Sequence, residues 1–216
     1  MANYINGIDV SRWQSTNINW QQVKAAGYAF AFVKCSDGSA YKQQFIDIGR
    51  THAKNAVAAG LKIGYYHFAH PTNHGGLVND ATSEANYLIA TLKTDFPTPN
   101  FPLVLDFEDE NMHITTAEAK TWVETFYNVL QQAGYEMIFY TYKVYVDAHL
   151  PATHGFGALP LWLASYPRNF DINKLPKNPV GWTGWEIWQY NDKGTVKGIS
   201  GGVDLNIMNK AFFDKY

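Results

Sequence analysis

With 216 residues, 46% of them hydrophobic, the chain is long enough to build a full core, and its length is normal for an α/β barrel. Its formal net charge of −2 and lack of any long basic run leave no electrostatic footprint for nucleic acid, and no stretch approaches 18 uninterrupted apolar residues, so nothing spans a membrane. The one cysteine, Cys35, excludes an internal disulfide; in the apolar run YAFAFVKCS it is expected to be a buried structural thiol.

In chain order, the N-terminal MANYINGIDV has no charged region followed by an apolar one, so no signal peptide is expected. The run INGIDVSRW reads as the first strand. YAFAFVKCS, KIGYYHFAH, PLVLDFED and EMIFYTY follow at barrel intervals, with helical stretches between them. Asn19 with Gln22 is placed to cap a short helix. A longer one is expected to bury Phe45, Ile48, Ala53, Ala56 and Val57 and to end at Gly60. The clearest helix starts at Thr115, with Glu118 three residues on in a capping-box pattern. Trp122, Phe126, Val129 or Leu130, and Ala133 share one face of it, and Gly134 stops it.

After EMIFYTY the helices thin out. ALPLWLASY, WEIWQYN and GGVDLNIM read as strands, and residues 167–184, with three prolines and two glycines, read as a long loop. Five β/α units and three further strands imply a mainly parallel sheet. Eight strands imply a closed TIM-like barrel with an irregular C-terminal quarter, forming a single domain over residues 1–216.

The stretch LVLDFEDE, from Leu103 to Glu110, starts as a core strand and ends in acids. Side chains at i and i+2 share a strand face. Leu103, Leu105 and Phe107 then face the helices, while Val104, Asp106 and Glu108 face the barrel interior. The carboxylates fall at the C-terminal end of the strand, where barrel enzymes place their chemistry. Asp9 ends the first strand in GIDVS, and Asp204 sits on the last in GVDLN. First and last strands are neighbours in a closed barrel, so four carboxylates from three strands are expected to meet at one mouth. Asp109 and Glu110, past the strand, read as solvated.

Paired acids near aromatics suit glycoside hydrolysis: one carboxylic acid protonates the leaving oxygen and a second group attacks or stabilises the sugar. Crowding and apolar walls keep one acid protonated near neutral pH. Asp and Glu without close histidines would suit Mg or Ca instead. The histidines, His67 and His70 among them, form no HxH or HExxH pattern, and neither a metal nor another cofactor is expected.

The motifs GIDVSRWQ, GYAFAFVKCSDG, AAGLKIGYYHFAHP, PLVLDFED, GYEMIFYTY, PLWLASY and WEIWQYNDKGTVKGISGGVDLN occur in an order that resembles the family 25 glycoside hydrolases, the Chalaropsis-type muramidases of bacteria and their phages. The resemblance runs from residue 5 to about residue 212. It implies a (β/α)5β3 barrel and cleavage of the β-1,4 bond between N-acetylmuramic acid and N-acetylglucosamine in bacterial peptidoglycan. It makes Glu108 the general acid, Asp106 the group stabilising the reacting centre, and Asp9 and Asp204 the outer acids of the pocket. Strand parity and the same motifs add Lys34, Tyr66, Tyr140, Trp162 and Gln189 as candidates to line the sugar groove. Lys34, ending an apolar strand, needs a partner, which a barrel-mouth acid would supply.

Many members of the family carry wall-binding repeats after the barrel; none is expected in this chain, which is expected to act as a monomer on the cell wall. Without a signal peptide it would be released by phage lysis or another route, or be a processed form. Two other readings stay open at this point: a chitinase-like hydrolase of N-acetylglucosamine polymers, and a catalytically silent peptidoglycan-binding barrel.

Overall fold

The computed structural model describes residues 3–216. Five strands each precede a helix: β1 (Tyr4–Val10), α1 (Trp20–Ala25), β2 (Tyr28–Asp37), α2 (Gln43–Ala58), β3 (Lys62–Phe68), α3 (Leu77–Leu92), β4 (Leu103–Asp106), α4 (Thr116–Gln132), β5 (Met137–Tyr142) and α5 (Lys143–His149). Three strands then follow without an α-helix between them: β6 (Leu161–Ala164), β7 (Ile187–Gly194) and β8 (Val203–Asn209). The short α6 (Lys210–Lys215) comes last. The strands close in sequence order into one barrel. Neighbours from β1 to β7 are parallel, but β8 runs antiparallel to both β7 and β1. An all-parallel barrel lacks this reversal. No helix among the described residues is long and apolar enough to cross a membrane.

Period-2 alternation sorts the side chains into two cores. Outward, Leu103 and Leu105 of β4, with Phe107 one residue past its end, join Ala31 and Val33 of β2 beneath the helices. Inward, Phe30, Phe32, Val104, Ile138, Trp162, Ile187 and Met208 fill the barrel. Gly64 on β3 makes room for this filling, since a Cβ there would lie 2.2 Å from the Phe32 ring. Cys35 is fully buried, as expected of a structural thiol.

The helix signals hold in two cases and are displaced in one. Thr115 and Glu118 form a reciprocal capping box, and Asn19 accepts a hydrogen bond from the Gln22 backbone N–H. In α4 the buried face is Ala119, Trp122, Val123, Phe126 and Leu130. In α2 the buried stripe is instead Ile46, Gly49, His52, Ala53 and Ala56, with Phe45 and Ile48 half-buried and Val57 exposed. Gly49 explains the rotation: a Cβ there would lie 2.6 Å from the Lys34 carbonyl oxygen, so the helix rolls its smallest residues against β2.

Candidate active site

Three strands deliver one acid each to the mouth. Asp9 is the penultimate residue of β1 and Asp106 the last of β4; each is 5% exposed. Asp204 is the second residue of β8, and a parallel strand would have carried it to the opposite end of the barrel. Because β8 is reversed, Asp204 stands directly across the ladder from Asp9. Glu108 lies two residues beyond Asp106 on the same inward parity. All four line one pocket with Tyr66, Tyr140, Trp162 and Gln189, and with Tyr166 and Asp192.

The pocket wall is a continuous hydrogen-bonded chain whose polarity follows from donor chemistry. The Trp162 indole Nε1, which can only donate, donates to Asn206 Oδ1 at 2.8 Å. That fixes the amide, so Asn206 Nδ2 donates to Asp9 Oδ2 at 2.8 Å. Gln189 Nε2 donates to the same oxygen at 2.8 Å, while Gln189 Oε1 accepts from the hydroxyls of Tyr140 (2.9 Å) and Tyr166 (2.6 Å). Asp9 is thus held rigidly as an acceptor.

Burial dominates the electrostatics. It raises Asp9, against the two amide bonds that favour its charge. It lifts Asp204 to about 9, with the facing Asp9 charge adding to the effect. Asp106 is pushed well above the usual carboxylate range by burial and by Glu108. Glu108 rises to about 7, through burial first and then the Asp9 charge, with Lys34 pulling the other way. Asp106 Oδ1 is buried and has no hydrogen-bond partner in the protein. Glu108 at the rim therefore keeps its proton near neutrality, and the floor below it offers a buried acceptor awaiting a donor.

Lys34 does not line this pocket. Its partner is Asp37 of its own strand, 2.5 Å away. Strict alternation would put residues 34 and 37 on opposite faces, but β2 bulges between Lys34 and Ser36. Cys35 is the extra residue, so Lys34 and Asp37 both turn inward, beside Tyr66 and Phe68 of β3. Asp109 departs from its expected solvated state. It is 7% exposed and accepts from His70 Nδ1 at 2.7 Å, while His70 Nε2 contacts Asp37 at 2.8 Å. Held between two carboxylates, His70 rises to about 9 through its bond to Asp37, outweighing its own burial. Burial of Asp37 is outweighed by His70 and Lys34, which hold it at about 2. Glu110 is exposed, as read from the sequence.

Three site residues were not picked out in the sequence. Asn206 and Tyr166 carry a usable signal, since each continues the inward parity of a chosen residue, Asp204 and Trp162. Asp192 carries none, because bulges on both sides of Asn191 break the alternation of β7.

A closed α/β barrel whose mouth gathers buried carboxylates and aromatic rings defines a barrel glycoside hydrolase. The family model described as glycosyl hydrolases family 25 matches residues 8–199, and the chain belongs to that family. It is 32% identical over 215 residues to Lysozyme M1 of Streptomyces globisporus, covering 95% of this chain and 68% of that protein. It is 30% identical over 207 residues to the autolytic lysozyme of Clostridium acetobutylicum, covering 94% of this chain and 55% of that one. Among solved structures, the bacterial lysozyme of Streptomyces coelicolor superposes with a TM-score of 0.78 at 30% identity, covering 95% of this chain and 92% of that one.

Proposed function

We propose that the chain is a lysozyme, an N-acetylmuramidase that cleaves the β-1,4 bond between N-acetylmuramic acid and N-acetylglucosamine in bacterial peptidoglycan. The observation that carries the reading is Glu108. Its proton is retained to about 7 at the rim of a pocket floored by three further acids. A carboxylic acid so tuned is a general acid for a glycosidic leaving oxygen.

The partner is the substrate's own 2-acetamido group. Asp106 stands on the same strand face as Glu108, whereas a nucleophile attacking from the other side of the ring would come from a different strand. Its unpartnered Oδ1 suits the acetamido N–H, which on binding would stabilise the ionised carboxylate that the empty pocket disfavours. The acetamido oxygen then attacks the anomeric carbon while Glu108 gives its proton to the leaving oxygen. This closes an oxazoline-type ring and breaks the glycosidic bond. Glu108, now a base, takes a proton from the water that reopens the ring, and the product keeps its β configuration. The barrel acts as one catalytic unit at the cell wall.

The test is lysis of purified cell walls, set beside chitin. Wild type should clear walls and spare chitin. Glu108→Gln should fold normally and lose about 10²–10⁴-fold in rate, the usual worth of general acid catalysis. Wild-type-like lysis by this variant sinks the assignment of Glu108. An α-configured first product, or full activity on N-deacetylated wall, sinks the acetamido route.

A further inference from the structure

Glu108 lies outside the β4 ladder, which ends at Asp106. Its place is set from its two flanks. On one side the Phe107 N–H donates to the Tyr140 carbonyl at 2.9 Å, and the Phe107 carbonyl accepts from the Thr141 hydroxyl at 2.9 Å, so that flank is fixed on β5. On the other side is Asp109. Its carbonyl accepts from the hydroxyl of Tyr145, on α5, at 2.8 Å. Its Oδ1 accepts from the Asn111 N–H at 2.9 Å, a bond inside the same loop that moves with it. The tie to β2 and β3 is His70, two residues past the end of β3, whose Nδ1 donates to Asp109 Oδ2 at 2.7 Å. The second ring nitrogen of His70 donates to Asp37 at 2.8 Å, and Asp37 holds the Lys34 ammonium at 2.5 Å.

We propose that His70 is a positioning residue for the general acid: by donating to Asp109 and Asp37 at once, it holds the Glu108 carboxyl at the pocket and the Lys34 charge near it. This role rests on Glu108 acting as the acid of a muramidase. An ionised carboxylate only accepts, so two such partners require a proton on each ring nitrogen. His70 meets that requirement at neutral pH, because its bond to Asp37 raises it to about 9. Charge-assisted bonds of this kind are short and about twice as strong as neutral ones. The third carboxylate near the residue, buried Glu84 of α3, takes the His70 backbone N–H at 3.2 and 3.3 Å and so fixes where the ring starts from. The ring does not line the acid pocket, and 46% of the side chain is exposed. Its effect on the chemistry therefore passes through Asp109 and Asp37.

The experiment measures kcat and KM on defined peptidoglycan glycan strands at neutral pH. His70→Ala should lose about 10²-fold in kcat, the scale of a catalytic group displaced by about 1 Å. KM should stay unchanged, because the groups that line the pocket are untouched. Added imidazole, which can enter the exposed gap, should restore kcat in a saturable way. 1-Methylimidazole fills the same space but presents a single N–H, and should not. Asp109→Ala should also lose kcat and be indifferent to imidazole, and the double variant should lose no more than Asp109→Ala alone. Unchanged kcat in His70→Ala, a loss confined to KM, equal rescue by both imidazoles or by neither, or additive losses in the double variant overturn the clamp. A wild-type enzyme inert on the strands overturns the muramidase reading beneath it.

Discussion

Glu108 sits between opposing neighbours: burial and Asp9 hold its proton on, and Lys34 works to release it. Lys34 does so without touching the pocket, because Asp37 and the rings of Phe68 and Tyr41 fix its ammonium group nearby. Lys34→Met removes the positive charge and leaves Asp37 its contact with His70. The alkaline limb of the kcat/KM profile should therefore move to higher pH, so that the variant outperforms wild type in relative rate above neutrality. A limb that stays in place or moves down contradicts this coupling; stopped assays across the pH range decide it. The four acids were legible in the sequence because parity and position near strand ends are local properties. The partner of Lys34 was not. It depends on one extra residue in β2, and nothing in VKCSD marks Cys35 as that residue. The burial of Asp109 was hidden for a similar reason, since the histidine that holds it belongs to the end of another strand.

Whole elements were legible where their ends carry chemistry. The capping box of α4 and the Asn19 cap of α1 are side-chain signals, and both stand where the sequence placed them. By contrast α3 begins after Gly76 with no side-chain cap, so its start gives no comparable mark. Its place is fixed tertiarily: buried Glu84 accepts from His67 Nε2 at 2.8 Å, and Ser36 contacts His67 Nδ1 at 2.9 Å, tying α3 to β3 and β2. The face of α2 was misread because the pattern of large residues ignores what a glycine allows. The same geometry makes Gly64 a sensitive point in β3. Gly64→Ala forces a methyl into the Phe32 ring, and overpacking of this kind costs about 1–3 kcal/mol. In a chain of this size that lowers Tm by roughly 2–4 °C per kcal/mol. Calorimetry showing an unchanged Tm would mean that the barrel interior is looser than described.

For the whole molecule, the acid cluster opposes folding at the pH where it works. Asp204, up to about 9 from 3.8, and Glu108, up to about 7 from 4.5, keep protons that the unfolded chain has lost. Their effect is a decline in stability as pH climbs from about 4 towards 9. His70, raised from 6.5 to about 9, adds stability below its unfolded value that is lost over the upper part of that range. Asp37, lowered from 3.8 to about 2, contributes above about 4 and is lost as pH falls through 2. The signs agree on a maximum of Tm near about pH 4–5. Asp204→Asn should raise Tm at pH 8 by about 2–4 °C, roughly 1 kcal/mol, with the gain vanishing near pH 4. A variant no more stable than wild type at pH 8 would contradict a cluster held under strain.

The reversal of β8 also decides where the polypeptide can be handled. β1 begins, and β8 ends, at the base of the barrel, where the Lys210 N–H donates to the Asn3 carbonyl at 2.9 Å. From there α6 brings Tyr216 against Phe101 and Glu136. A peptide joined to either side of this seam hangs below the barrel, on the face opposite the cleft. Anchoring the protein to a bead through that seam turns every copy with its mouth outward, and a short linker across it would allow new ends to be opened elsewhere. The β7–β8 hairpin, by the same reversal, bends at the rim beside Asp192 and Asp204. It is the place where added length would hang over incoming glycan and change which strands can enter.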